Sequence, residues 1–328
     1  RPPGGRLSRK RMGVHHSPLA AATLALAALA AICLLVLPQG PRSLRLSRTG
    51  GTVVRRNVGV RSGRVSASAA AGKKLLVLGG SGFVGRQVCK NAVEKGYAVT
   101  SLSRRGENPD PSDPLLKQVK WVKGNALDEM TMRGLVEEKY DAVVHAMGLL
   151  FDIKSGMPKM NLIVSGSRSE PDDSSTYDNI TRRTAEILLD QLSKNRNRNQ
   201  PTPVAFISAA EAGWPQMSGG STVENAAPDW LKRYLGAKRA VEAMMDSNPS
   251  IRPIVFRPSL IWNWGKLDVL PIIPIFNLAN ALGVPFVDKT VRVETLAKAI
   301  VEGIDNDSVS GVQRFPQIEN LGAGALTS

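Results

Sequence analysis

This chain predicts an α/β fold, a doubly wound parallel sheet with a small C-terminal lobe, on three observations. Lys74 to Arg105 reads KLLVLGGSGFVGRQVCKNAVEKGYAVTSLSRR, an apolar run that meets a glycine-rich turn, a helical segment and a second β-rich run. Short β-rich runs then keep alternating with helical segments as far as Phe256, and strands spaced by helices imply parallel neighbours. The length from Lys73 onward suits one such domain with a modest second lobe.

Taken in order, the first strand is Leu75 to Leu78 and the turn is Gly79 to Gly85. Gly79 can take the dihedrals of a tight strand-to-helix turn, Gly82 leaves no side chain where backbone must approach a pyrophosphate, and Gly85 lets helix pack close to strand. The free N–H groups and positive end of the helix would face the phosphates. Such a unit is built to hold a dinucleotide, with Gly79, Ser81, Gly82, Phe83, Val84 and Gly85 as candidate contacts. In the helix Val84, Val88, Ala92 and Val93 recur at helical spacing, with Gly96 as C-cap. Later strands are read at Ala98 to Leu102, Val119 to Val122, Ala142 to Ala146, Val204 to Ser208 and Pro253 to Phe256. Helices are read at Met130 to Glu138, Tyr177 to Leu192 and Tyr234 to Met245. A ligand of such a sheet lies at the carboxyl ends of its strands, near the switch point. Residues 149–176, rich in Ser, Gly, Asp and Pro, read as a surface insertion beside that site.

Two further groups speak to chemistry. At the end of the second strand, where NAD sites place an acid for the ribose 2′-OH, the chain offers Ser103, Arg104 and Arg105. Arginine pairs with a 2′-phosphate, so NADP(H) is favoured, with NAD(H) possible. Tyr234 and Lys238 stand four apart on one helix face, where the ammonium would lower the phenol's pKa and fit it to exchange a proton with a carbonyl. Ser208 at the end of the fifth strand is a candidate orienter, which makes Tyr234, Lys238 and Ser208 the candidate catalytic set.

These motifs resemble the extended and atypical short-chain dehydrogenase/reductase family from Lys73 onward, a Rossmann domain spanning 73–328. The resemblance rests on GGSGFVG (Gly79 to Gly85), DAVVHAMG (Asp141 to Gly148), YLGAK (Tyr234 to Lys238), FRPSLIW (Phe256 to Trp262) and VRVETLAKAIVEGI (Val291 to Ile304). VVHAMGLLFD, TYDNITRRTAEILL, FISAAEAGWP and RPIVFRPSLIW look like the branch of the fungal coenzyme Q synthesis accessory protein, related to the Rossmann accessory subunit of respiratory complex I. The resemblance implies a nicotinamide nucleotide, further contacts from Asn125, Ala146, Met147, Gly148 and Lys238, and a C-terminal substrate lobe at about 259–292. It also shows departures. Ala209 stands at the usual carbonyl-polarising hydroxyl, Asn125 at a frequent adenine-contacting Asp and Thr181 at a frequent helix Asn.

Charge and composition set the leader apart. Residues 1–72 hold twelve Lys or Arg and no acid, leaving 31 basic against 28 acidic residues in the rest, so the high pI is no argument for nucleic acid. Leu19 to Leu37 is uncharged and long enough for one membrane crossing, and an Arg/Ser-rich stretch ending in small residues follows. A targeting leader is expected, with hydrophobic segment 19–37: a two-part plastid presequence, or else a mitochondrial presequence with an inner-membrane anchor and the domain on the matrix side. Two cysteines, Cys33 and Cys89, exclude a disulfide framework. His145 is the one histidine beyond the leader, which argues against zinc or a Ser-His-Asp triad. Trp262, Trp264, Leu270, Ile272, Ile273, Ile275 and Phe276 form an apolar run broken by Pro271 and Pro274, too interrupted to span a membrane. Such a run suits a quinone, an isoprenoid or a membrane surface as well as a lobe core. Two readings follow: an auxiliary NAD(P)(H)-binding protein of organellar quinone metabolism bound to a protein complex, or an NADPH-dependent reductase of a lipophilic carbonyl or quinone-pathway intermediate. Membrane contact through the leader or the lobe is open to both.

Overall fold

A computed structural model describes residues 72–323, apart from 157, 160, 162–170, 196–199, 265–272 and 282–285. The leader up to residue 71, with its hydrophobic segment, therefore lies outside the described residues, as do Leu270 and Ile272. Seven parallel strands form the main sheet in the order β3-β2-β1-β4-β5-β6-β9. They are β1 (Lys74–Leu78), β2 (Ala98–Ser103), β3 (Lys120–Lys123), β4 (Ala142–His145), β5 (Thr202–Ile207), β6 (Ile251–Phe256) and β9 (Gly311–Gln313). A second sheet pairs β7 (Ile261–Trp262) with β8 (Val291–Arg292). The strand order reverses at β1, so β1 and β4 frame the switch point where the crossovers diverge.

Helices cover both faces because each central strand is apolar on both. Leu75 and Val77 point to one side, where α1 (Phe83–Glu94), α7 (Val293–Asp305) and α8 (Phe315–Gly322) supply Val88, Ala92, Leu296, Ile300 and Ile318. Leu76 and Leu78 point to the other, against Met132 and Leu135 of α2 (Glu129–Glu137), Leu188 of α3 (Thr184–Lys194), and Val241 and Met245 of α5 (Asp229–Asp246). This is the near-continuous hydrophobic strand of a sheet buried on both faces. Tyr177 to Leu192 was expected as one helix; Asp178–Arg183 is instead a π-helical turn that runs into α3.

A third cluster lies outside the sandwich. Ala209, Ala212, Trp214, Val223, Ala227, Leu231 and Leu235 pack together, with Tyr234 and Phe286 against them. It is built from a 3₁₀ turn (Ala210–Gln216), the short helix α4 (Gly220–Asn225) and the start of α5. This cluster draws on residues 209–235, and Phe286 reaches it from the region 259–292. In that region α6 (Ile273–Ala281) is described, Leu278 is 61% exposed and Trp264 is 67% exposed. Among the described residues no helix is long and apolar enough to cross a membrane.

The segment 149–176 contributes buried residues where it is described. Phe151, Asp152, Asn161 and Ser175 are buried. The Asn161 amide ties Leu150 and Phe151 together by accepting from both backbone N–H groups, at 2.9 and 3.0 Å.

Candidate active site

The glycine turn leaves β1 with Gly79 at φ +84°, and its N–H donates to the Leu102 carbonyl at 3.0 Å. A Cβ on Gly79 would come within 3.1 Å of the Ala146 carbonyl, and one on Gly85 within 2.3 Å of the Gly79 carbonyl. Gly80, not singled out from sequence, is as tight, since its Cβ would lie 2.3 Å from Ser101 Oγ. Gly82 caps α1 in extended geometry with no side-chain hydrogen bond to the first-turn N–H groups and no acid in that turn. The helix end therefore keeps its donors and positive potential for an anion.

A cavity of about 430 Å³ opens at the carboxyl ends of the strands. Its nucleotide end is lined by Gly79, Ser81, Gly82, Phe83 and Val84 from the turn, Ser103 and Arg104 from β2, and Ala146, Met147 and Gly148 after β4. Gly85, Arg105 and Asn125 do not line it. Gly85 acts in helix packing, whereas the exposed Asn125 closes a local turn, its Oδ1 accepting from the Leu127 N–H at 3.1 Å. Arg104 pairs with Asp172 at 2.6 Å, an acid from the 149–176 segment. Ser103 Oγ accepts from the Gly106 N–H at 3.1 Å. These residues fit a dinucleotide: backbone approaches without side-chain obstruction, a bare helix start faces inward, and a guanidinium stands at the strand end.

The other end is apolar and aromatic, with Phe151, Trp214, Trp230, Leu231, Phe286 and Val287 around Tyr234. Phe151 and Trp230 meet at 5.0 Å between centroids, and Tyr177 meets Tyr234 edge-on at 5.6 Å. Lys238 is buried, and its ammonium donates to the Ile207 carbonyl at 2.6 Å, 5.6 Å from the centre of the Tyr234 ring. Burial lowers the Lys238 pKa to about 8, partly offset by Glu242. The phenol does not follow the sequence expectation. Burial first, then the charge of Glu211 and the neighbouring Tyr177, push the Tyr234 pKa above its ordinary value.

Ser208 is committed elsewhere. Its hydroxyl donates to Glu242 Oε1 at 2.5 Å, and that carboxylate also receives Arg257 through Nε at 3.0 Å and Nη2 at 2.5 Å. Arg257 Nη1 continues to Gln216 Oε1 at 3.0 Å. Ala209 lines the cavity beside Ser208 with a methyl group only. Sequence reasoning missed Glu211, two residues further on, which also lines the cavity. Its pKa is raised to about 7 by burial, with its own backbone N–H and Arg314 opposing the rise and Asp288 adding to it. His145 packs away from solvent with Nε2 2.9 Å from Thr184 Oγ1. Burial, reinforced by Lys238, lowers its pKa to about 3 and makes it a neutral core residue.

Comparison with known proteins agrees with this architecture. A model of the NAD dependent epimerase/dehydratase family matches residues 75–165, which run from β1 through the glycine turn and past β4. An uncharacterized chloroplastic protein of Arabidopsis thaliana is 47% identical over 275 residues, covering 76% of this chain and 78% of its own. The chain belongs to the atypical short-chain dehydrogenase/reductase family. A more distant relative, MIOREX complex component 2 of Saccharomyces cerevisiae, is 24% identical over 286 residues, 75% of this chain and 98% of its own. The fold recurs in the 3-ketoacyl-(acyl-carrier-protein) reductase of Brucella melitensis complexed with NADH, at a TM-score of 0.51 and 15% identity over 74% of this chain and 95% of that one. Family membership accounts for the glycine turn, the switch-point cavity and the Tyr234–Lys238 pair on α5.

Proposed function

We propose that this protein is an NAD(P)(H)-binding auxiliary protein of organellar quinone metabolism that keeps the architecture of a reductase. The observation that carries the reading is the contrast between the two ends of the cavity. The nucleotide end has every backbone approach cleared, while at the reacting end Ala209 has no hydroxyl, Ser208 is bound to Glu242, and the Tyr234 phenol is made a weaker acid. A missing oxyanion donor costs on the order of a hundredfold in rate, whereas it costs nucleotide binding nothing. NADP(H) is the preferred nucleotide on the strength of Arg104 at the end of β2. Bound nucleotide then stabilises the fold by mass action.

The organellar setting draws support from the chloroplastic relative and from the yeast MIOREX component, and the latter favours a protein complex as partner. The aromatic end of the cavity favours a lipophilic ring, in keeping with a quinone. A second reading, an active NADPH-dependent reductase of a lipophilic carbonyl, is favoured by the retained Tyr234 and Lys238 in one cavity. When bound, the nicotinamide would supply hydride; Tyr234 would exchange the proton and Lys238 would hold the ribose side. The test is rapid mixing of the NADPH-loaded protein with short-chain ubiquinone. Absence of oxidation supports the auxiliary reading, and oxidation that collapses in Tyr234→Phe replaces it with the reductase.

A further inference from the structure

Glu211 has no assigned task, yet among the described residues it is the one carboxyl that lines the aromatic end of the cavity. It sits in the first turn of the 3₁₀ segment Ala210–Gln216, immediately beyond the buried Ala209, and faces the same space as Tyr234. That segment is held firmly. Trp214 Nε1 donates to the Phe286 carbonyl at 3.2 Å, Gln216 accepts from Arg257 at 3.0 Å, and a Cβ on Gly220 would lie 1.7 Å from the Trp214 carbonyl. Among the described residues the Glu211 carboxyl meets its own backbone N–H and makes no ion pair. The nearby cation, Arg314, is already paired with Asp288 at 2.9 Å, so the charges facing Glu211 are a spent ion pair and the phenol of Tyr234. A carboxyl so placed, in apolar walls and without a counter-ion, exchanges its proton near neutrality and is a hydrogen-bond donor below that point.

We propose that Glu211 is the polar recognition residue of the ligand end of the cavity: in its protonated form it donates a hydrogen bond to a carbonyl oxygen of a neutral, flat, lipophilic ligand. It supplies the donor that Ala209 lacks, from two residues further along the same loop. Neutrality follows from the site, since an anionic ligand would meet Glu211 once it is ionised. Flatness follows from the facing rings of Phe151, Trp230 and Tyr234. The inference rests on the nucleotide-binding reading above, because the same cavity holds both ends.

The test is equilibrium binding of a one-isoprene ubiquinone to the protein saturated with NADP⁺, a form with no hydride to give, followed by tryptophan fluorescence between pH 5.5 and 8.5. Wild type should bind best at low pH and lose about tenfold in affinity per pH unit above a midpoint near 7. Glu211→Gln, which keeps a donor but cannot titrate, should flatten that profile, and Glu211→Ala should weaken binding tenfold or more at pH 6. NADP⁺ affinity should stay within twofold in both. A wild-type profile without pH dependence, an affinity that rises with pH, an unchanged midpoint in Glu211→Gln, or no quinone binding to a protein that does bind NADP⁺ would each overturn the assignment. Failure to bind NADP⁺ at all would instead bring down the nucleotide reading beneath it.

Discussion

Gly85 shows how little room the nucleotide turn leaves. Its missing Cβ is the space occupied by the Gly79 carbonyl, 2.3 Å from where that atom would stand, and backbone on both sides prevents relief. Gly85→Ala should cost about 1–3 kcal/mol of stability, seen in thermal melts, and should abolish measurable nucleotide binding. Arg104 poses a subtler case. A 2′-phosphate arriving at Arg104 meets Asp172, an acid that already holds the guanidinium at 2.6 Å. Removing that charge in Asp172→Asn should tighten NADPH several-fold and leave NADH nearly unchanged, whereas Arg104→Asp should reverse the preference; titration with both nucleotides checks each. The glycines and Arg104 were legible in the sequence because their chemistry is local. Glu211 was not, because the charges set against it, Asp288 and Arg314, lie more than seventy residues away in the chain.

Among the elements, β5, α5 and β6 are joined at their cavity ends by Ser208, Glu242 and Arg257. Both charged side chains are nearly buried, 5% exposed for Arg257 and 11% for Glu242. Loss of one partner strands the other, so Glu242→Ala should destabilise by about 3–5 kcal/mol. A smaller loss, near that of an exposed pair, would mean that the three elements are held by packing alone. The core strands and α1 were readable from apolar runs and glycine spacing, and their ends fall within about two residues of the expected positions. β9 was not readable. Gly311–Gln313 is three residues long and joins the sheet only through β6. The π-helical turn before α3 was equally hidden, since its residues keep an ordinary helical pattern. The cluster of Ala209, Ala212 and Trp214 with Leu231, Leu235 and Phe286 was not readable either, because its members lie far apart in the chain.

At the scale of the whole molecule, stability should depend on pH through the buried His145. Its pKa is depressed to about 3 in the fold against about 6.5 when unfolded, so the unfolded chain binds the extra proton between those values. Stability from this group is therefore complete above about pH 6.5 and is lost as pH falls towards 3, with a slope near 1.4 kcal/mol per pH unit. Denaturant melts from pH 7 to 4 should show that slope, and His145→Gln should remove its share. Nucleotide binding should act on the same equilibrium, adding about 2.7 kcal/mol at a hundredfold excess over Kd.

Every functional role proposed for this protein requires that the cavity at the switch point hold a dinucleotide. Calorimetric titration of the protein with NADPH and NADH tests this most directly. One site per chain is expected, tighter for NADPH and lost in Gly85→Ala. No heat of binding with either nucleotide, from a protein that melts cooperatively, would contradict it.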